Sequence, residues 1–206
     1  MLRLVNVSRR FEEKQIIESA TLTVNAGELV CLTGPSGIGK TTLLEMMAGI
    51  LQPDSGTIKY SSPPALMFQD DVLIPWLTAE ANIIYIMPPD VSQSVAFETA
   101  RTWLDFFGLD PAQYPSAMSG GMRRRLSLAR TFASGRSLLV LDEPFVFLDD
   151  AWQDKIAKEI ASFVVKGSGI IVASHTTAFL DLPYFIQIPY RIFPLTEPPI
   201  VISELR

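Results

Sequence analysis

Residues 34–42, Gly-Pro-Ser-Gly-Ile-Gly-Lys-Thr-Thr, follow the apolar run Leu29-Val30-Cys31-Leu32 and precede the helix-like run Leu43-Leu44-Glu45-Met46-Met47-Ala48. A buried strand, a glycine-rich turn and a helix in that order commit the chain to an α/β core. The spacing fits G-x-x-x-x-G-K-[ST], the phosphate-binding P-loop. In such a loop successive backbone N–H groups converge on phosphate oxygens, and the helix N-terminus adds positive potential. Gly34, Pro35, Ser36, Gly37, Ile38, Gly39, Lys40, Thr41 and Thr42 are therefore candidate phosphate-binding residues. Lys40 is expected to reach the β- and γ-phosphates, and the Thr41 hydroxyl to hold Mg²⁺. The run predicts binding of a nucleoside triphosphate.

The 206 residues fit one domain, or one domain with a modest subdomain, and 48% of them are hydrophobic, enough for a substantial core. A net charge of −5 argues against nucleic acid as a partner. The single cysteine, Cys31, falls inside an apolar run, has no second cysteine to pair with and reads as a small core residue. The amino-terminal segment Met1–Val7 alternates like a strand and lacks the apolar centre of a secretory signal. Ile83–Met87 stops at Pro88-Pro89 and Ser137–Leu141 stops at Asp142, so neither run approaches the roughly 18 residues of a membrane span. A soluble cytoplasmic protein is expected, reaching a membrane only through partners.

Strand-like alternation covers Leu2–Val7 and Ala20–Val24, and Gly49 and Pro53–Gly56 stop the P-loop helix. Thr57–Tyr60 and Ala65–Phe68 read as short strands. Leu77–Ile86 and Ser94–Phe107 are helix-like, so residues 69–118 read as a helical insert between two parts of the core, 1–68 and 119–206. Beyond it, Ser119–Thr131 and Ala151–Val165 predict helices, and Ser137–Leu141 and Gly169–Ala173 predict fully buried strands. Tyr184–Leu195 and Ile200–Ser203 are proline-punctuated and strand-like. The expected fold is α/β: a P-loop NTPase core with a mixed sheet, an N-terminal antiparallel β subdomain and a helical subdomain.

Leu138-Leu139-Val140-Leu141 ends in Asp142-Glu143, an apolar strand closing on two carboxylates. An acid at that place positions Mg²⁺ in P-loop NTPases, which fits Asp142, and Glu143 beside it is placed to polarise an attacking water. With these motifs in hand the chain resembles, over its whole length, the ATP-binding subunits of ABC transporters. The order is theirs: an aromatic near the start (Phe11), the P-loop, Gln69, then Met118-Ser119-Gly120-Gly121-Met122, Asp142-Glu143-Pro144, Asp149 and the lone histidine His175. Phe68-Gln69-Asp70-Asp71 and Leu73-Ile74-Pro75-Trp76-Leu77-Thr78 are similar to importer subunits for nitrate, sulfonates and taurine.

The resemblance implies that two copies of the chain sandwich two ATP molecules, each site made from the P-loop of one copy and Ser119, Gly120 and Gly121 of the other. It implies that Phe11 stacks on adenine, although a core aromatic fits that position equally. It further implies that Gln69 senses the γ-phosphate and joins Thr41 and Asp142 around Mg²⁺, that Glu143 is the catalytic base, and that His175 holds the base and the water in line. Asp149, the D-loop aspartate of the resemblance, is implied to belong with the nucleotide-binding residues. Integral membrane permease subunits and an extracytoplasmic solute-binding protein are the implied partners, with the chain peripheral on the inner face of the cell membrane and without the carboxyl-terminal regulatory domain of some sugar importers. Trp76, Ile83, Ile84, Tyr85 and Ile86 either line a groove for a permease helix or pack within the insert. Two departures stand out: in Val146-Phe147-Leu148-Asp149, Val146 replaces the serine of the usual Ser-x-Leu-Asp, and Met122 replaces a glutamine. A soluble ABC-type ATPase acting in DNA repair or on the ribosome, suggested by Arg123-Arg124-Arg125, is the alternative, and a P-loop small-molecule kinase fails to explain Ser119–Gly121 or His175.

Overall fold

The computed structural model describes residues 1–204; Leu205 and Arg206, which close the expected 1–206 domain, lie outside the described residues. The chain begins with β1 (Leu2–Phe11), β2 (Lys14–Val24) and β3 (Leu29–Thr33), enters α1 (Lys40–Met47), and continues into β4 (Ser55–Tyr60) and β5 (Ala65–Met67). Helices α2 (Ala79–Ile84), α3 (Gln93–Phe107) and α4 (Gly120–Ala133) follow. The last stretch contains β6 (Leu138–Asp142), α5 (Asp150–Val165), β7 (Gly169–Ser174) and β8 (Tyr190–Pro194).

The strands form two sheets. One is antiparallel, in the order β2-β1-β4; the other is parallel throughout, in the order β5-β6-β7-β3-β8. The α/β architecture is as the sequence indicates, with the two kinds of pairing divided between the sheets. β6 and β7 are buried along their whole length, because helices or the second sheet cover both faces. Alternation then sends Leu139, Leu141, Ile170 and Val172 towards α3, α4 and α5, while Leu138, Val140, Ile171 and Ala173 face α1 and the antiparallel sheet.

Helix α3 buries Ala96, Ala100, Leu104 and Phe107, a one-faced stripe at helical spacing, and ends at Gly108 in the left-handed region at φ 60°. Its aromatic end packs Phe107 with Trp103, Phe106, Phe132 and Trp152 at centroid distances of 6.3, 4.9, 6.1 and 6.1 Å. Helix α2 is shorter than the sequence pattern, because Thr78 caps it by accepting from Ala81 N–H. Asn82, fully buried, donates to the carbonyls of Ile74, Leu77 and Thr78 and so fixes the turn that precedes the helix.

Three further segments differ from the sequence reading. β1 and β2 run on to a hairpin tip at Glu12-Glu13, although bulges and positive φ values at Asn6 and Ser19 break the alternation there. Only Tyr190–Pro194 of the carboxyl-terminal run is a strand; Pro183–Phe185 is a 3-10 turn. Ile200 and Ser203 make single parallel bridges to Ile17 and Thr21 rather than a strand of their own.

Candidate functional site

The register of the parallel sheet builds the site. Thr33 lies opposite Ser174, Asp142 opposite Ala173, and Met67 opposite Leu141. The carboxyl ends of four strands therefore reach one edge together, and each delivers its next residues there: Gly34 after β3, Gln69 after β5, Glu143 after β6 and His175 after β7. Ligand sites of open α/β sheets form in this crevice. A cleft of about 270 Å³ opens at that edge, and Pro35, Ser36, Gly37, Gly39, Lys40, Thr41, Thr42, Gln69, Asp142, Glu143 and His175 line it.

The loop is tightly held from outside. A Cβ on Gly34 would stand 2.4 Å from the Leu195 carbonyl oxygen, so no larger residue fits beneath β8. Gly39 has φ 114° and a Cβ there would meet Ile16 at 2.6 Å. Ile38 is 4% exposed and anchors the loop in the core, so only its backbone is available to a ligand. Helix α1 starts directly behind, with no side-chain cap and no acid in its first turn. Its first N–H groups and positive end therefore carry no side-chain acceptor, the condition for holding an anion.

Lys40 is buried, and its ammonium donates to the carbonyls of Gly34 at 2.6 Å and Pro35 at 3.2 Å, with the Glu143 carboxylate 3.6 Å away. Thr41 donates its hydroxyl to Asp142 at 2.6 Å. The other Asp142 oxygen is buried without a hydrogen-bond partner, whereas the buried Glu143 Oε1 faces His175 Nε2 at 3.1 Å as well as Lys40. Burial pushes the Asp142 acid up, opposed by the Thr41 hydrogen bond and the charges of Lys40, Arg124 and His175. A buried, unpartnered carboxylate oxygen beside a threonine hydroxyl and near Gln69 fits a hard cation with oxygen ligands. Among the described residues there is no cluster of three or more His, Cys, Asp or Glu, and a Mg²⁺ that shares its shell with phosphates needs none. Glu143 has φ 51°, a region non-glycine residues enter rarely and one that recurs at functional sites. Cys31, by contrast, is inert: burial, then the Glu143 charge, pushes its thiol up to about 12.

Besides Gly34 and Ile38, which belong to the loop but do not line the cleft, five expected residues stand outside it. Phe11 is at the hairpin tip, 44% exposed, with the Arg9 guanidinium 4.8 Å above its ring. Ser119 caps α4 by accepting from Met122 N–H, leaving Gly120 and Gly121 as its first turn. Asp149 caps α5 through Trp152 N–H at 2.9 Å, an engagement its spacing did not suggest. Gly121 and the loop before Asp149 are neighbours, since a Cβ on Gly121 would sit 3.1 Å from the Phe147 carbonyl.

Sequence reasoning missed Arg124. In the run Arg123–Arg125 it looks like a helix-surface cation, yet it is 1% exposed and bonded to Phe68, Gln69, Asp71, Asp142 and Glu143. Arg125 stacks on Trp152 at 4.4 Å. The basic run is therefore internal wiring rather than a nucleic-acid face. The signal was position: one turn after the capped start of α4, Arg124 falls on the face that buries Leu128 and Thr131.

A family model described as ABC transporter matches residues 17–146. A sulfate/thiosulfate import ATP-binding protein of Chromobacterium violaceum is 40% identical over 165 residues, 74% of this chain but only 45% of that protein. An aliphatic sulfonates import ATP-binding protein of Corynebacterium glutamicum is 35% identical over 81% of this chain and 70% of its own length. A nitrate import ATP-binding protein of Synechocystis sp. is 36% identical over 72% and 61%. Among solved structures, a dimeric ATP-binding cassette in a post-hydrolysis state with ADP and Pi superposes with a TM-score of 0.83 at 23% identity, covering 96% of this chain and 97% of that one, a likeness of fold.

Proposed function

The chain belongs to the ABC transporter family, and on that premise we propose that it binds and hydrolyses ATP to drive import of a small solute through membrane permease subunits. The observation that carries this reading is the sheet register, which gathers Gln69, Asp142, Glu143 and His175 around Lys40 and Thr41 in one cleft.

In this reading the P-loop amides and Lys40 hold the phosphates, and the Lys40 ammonium exchanges its loop carbonyls for phosphate oxygens. Thr41, Asp142 and Gln69 are the residues that would hold Mg²⁺. When bound there the ion polarises the phosphate oxygens and neutralises charge as it develops. Glu143 orients and polarises the water. His175, 3.1 Å from that carboxylate, holds it in line and donates towards the γ-phosphate. Phe11, half-exposed at the hairpin tip with Arg9 over one face of its ring, would stack on adenine through the other.

No chain holds a whole site in this reading. Ser119, Gly120 and Gly121 begin a helix and lie outside their own cleft, so they serve the ATP of a second copy, with Asp149 and Phe147 beside them at the contact. ATP joins the two copies, and hydrolysis lets them part. The core segments 1–68 and 119–206 and the helical insert 69–118 are proposed as the units that shift against each other in this cycle.

A second cavity of about 260 Å³, lined by Leu66, Phe68, Val72, Ile86, Arg130 and Arg136, lies beside the Gln69 segment. Trp76 and Tyr85 are 75% and 69% exposed, whereas Ile83 is fully buried. The apolar residues of the insert thus divide between core and surface, and the exposed ones mark where a cytoplasmic permease helix docks. An extracytoplasmic solute-binding protein would act through that permease. Among the described residues no helix is long and apolar enough to cross a membrane. The solutes in the relatives' names, sulfate, sulfonates, bicarbonate, nitrate and putrescine, are all small, and a small solute is the cargo in this reading.

The test is phosphate release from Mg·ATP by the purified chain, alone and with its permease. Lys40→Ala should weaken ATP binding by about 100-fold, the worth of a strong charge-assisted contact. Wild-type chain that releases no phosphate in either setting, or a Lys40→Ala chain with unchanged affinity, contradicts the proposal.

A further inference from the structure

Arg124 stands one turn into α4, and arginine is rarely buried to this extent without partners that need it. One terminal nitrogen donates to the carbonyls of Phe68 at 3.0 Å and Gln69 at 2.8 Å and to the Asp71 carboxylate at 3.2 Å. The other donates to the carbonyl of Asp142 at 2.7 Å and to that of Glu143. One planar group thus bolts together the two backbone segments that present Gln69, Asp142 and Glu143 to the cleft. The second segment needs such a hold. Glu143 sits at φ 51°, with its N–H bonded to the Ala173 carbonyl at 2.9 Å and its own carbonyl bonded to Arg124. A rigid fork keeps two loops at a set separation, which a lysine ammonium, a point charge on a flexible stem, does not.

The same helix begins with Gly120 and Gly121, capped by Ser119, outside this chain's own cleft. We propose that Arg124 is a positioning residue that sets the separation of Gln69 from Glu143 and makes it depend on where the start of α4 sits. Resting on the ATP-sandwich reading above, Arg124 also couples the two copies of a dimer. A second copy whose nucleotide pulls on Ser119–Gly121 adjusts both loops of this chain's own site through Arg124, so the two sites of a dimer communicate. Val146, where the family pattern has serine, leaves the neighbouring loop without a hydroxyl for that task.

Arg124→Lys and Arg124→Gln, each in the full chain, test this. ATP affinity of the isolated chain should stay within about threefold, because the P-loop is untouched, while kcat falls by about 100-fold, as expected when reacting groups are misplaced rather than removed. The Hill coefficient for ATP should fall towards one. Hydrogen exchange without nucleotide should rise together at 69–73 and 143–146 and stay unchanged at 36–42. Asp71→Asn, which removes only the charged partner of the fork, should lower kcat several-fold and loosen the same segments, and it keeps the test open if Arg124→Gln does not fold. Full kcat and an unchanged Hill coefficient in Arg124→Lys overturn the proposal. So does exchange that rises evenly over the chain, the mark of a packing role. A wild-type chain without ATPase activity refutes the functional reading instead, and the exchange experiment then still decides whether Arg124 ties the two segments.

Discussion

Replacing Glu143 by glutamine changes a single oxygen to nitrogen in a side chain that is 6% exposed, so packing is conserved and only charge and basicity are lost. The carboxylate lies 3.6 Å from the Lys40 ammonium and 3.1 Å from His175 Nε2. As the group that polarises the water, it contributes what general bases typically do, about 10²–10⁴ in rate, which corresponds to roughly 2.7–5.4 kcal/mol of barrier. Binding moves the other way. At an effective dielectric constant of about 20, the Lys40–Glu143 attraction is worth about 4–5 kcal/mol, and it competes with phosphate for the same ammonium. Most of that is offset because the carbonyls of Gly34 and Pro35 still hold the ammonium in the variant, and phosphate must displace them in either protein. A gain in ATP affinity of up to about tenfold remains. The assay is single-turnover phosphate release at saturating Mg·ATP, with affinity from calorimetry on the same protein. Release within a factor of about three of wild type, or an affinity that falls, would remove Glu143 from the role of base.

Three further outcomes follow from the same geometry. Gly39→Ala puts a Cβ 2.6 Å from Ile16 at φ 114°; strain of about 1–3 kcal/mol should weaken ATP binding by roughly 5- to 150-fold, checked by calorimetry with circular dichroism confirming the fold. Phe107→Ala removes a fully buried ring from the aromatic cluster, and a loss of about 3–5 kcal/mol should lower Tm by roughly 6–20 °C; a change under about 2 °C in a thermal melt contradicts the packing account. Asp142 is raised above its ordinary 3.8 chiefly by burial. The folded chain then holds that proton more tightly than the unfolded chain, so its stabilising contribution is complete below 3.8 and lost as pH rises through the folded value. In metal-free, nucleotide-free buffer, Asp142→Asn should therefore raise Tm near neutrality and flatten its dependence on pH above that value; a lower Tm at pH 7 with an unaltered slope contradicts the sign.

What the sequence revealed and what it hid have physical reasons. β3, β6 and β7 were legible as continuous apolar runs, because a strand covered on both faces has no polar positions to interrupt it. Asp142 and Glu143 followed from the end of β6, whereas His175 came only through the family resemblance; the register places all three around one cleft. The outer halves of β1 and β2 were hidden, since bulges at Val7 and Arg9 shift the side chains that alternation relies on. Arg124 was hidden for a different reason: its polarity argues for solvent, and only the arrival of five backbone and side-chain acceptors from two distant segments explains its burial. Asp149 illustrates a residue with two readings, because the helix cap it forms is visible in the structure while its place at a dimer contact depends on a second copy.

The central claim is that this chain holds half of each site and that ATP joins two copies through Ser119–Gly121. Light scattering coupled to size exclusion tests it most directly on Glu143→Gln with saturating Mg·ATP, beside the same protein carrying Ser119→Arg. Glu143→Gln should run at about twice the single-chain 22.8 kDa and the double variant at the single-chain mass, with ATP bound in both. A Glu143→Gln chain that stays at 22.8 kDa with ATP bound, or a dimer indifferent to Ser119→Arg, contradicts it.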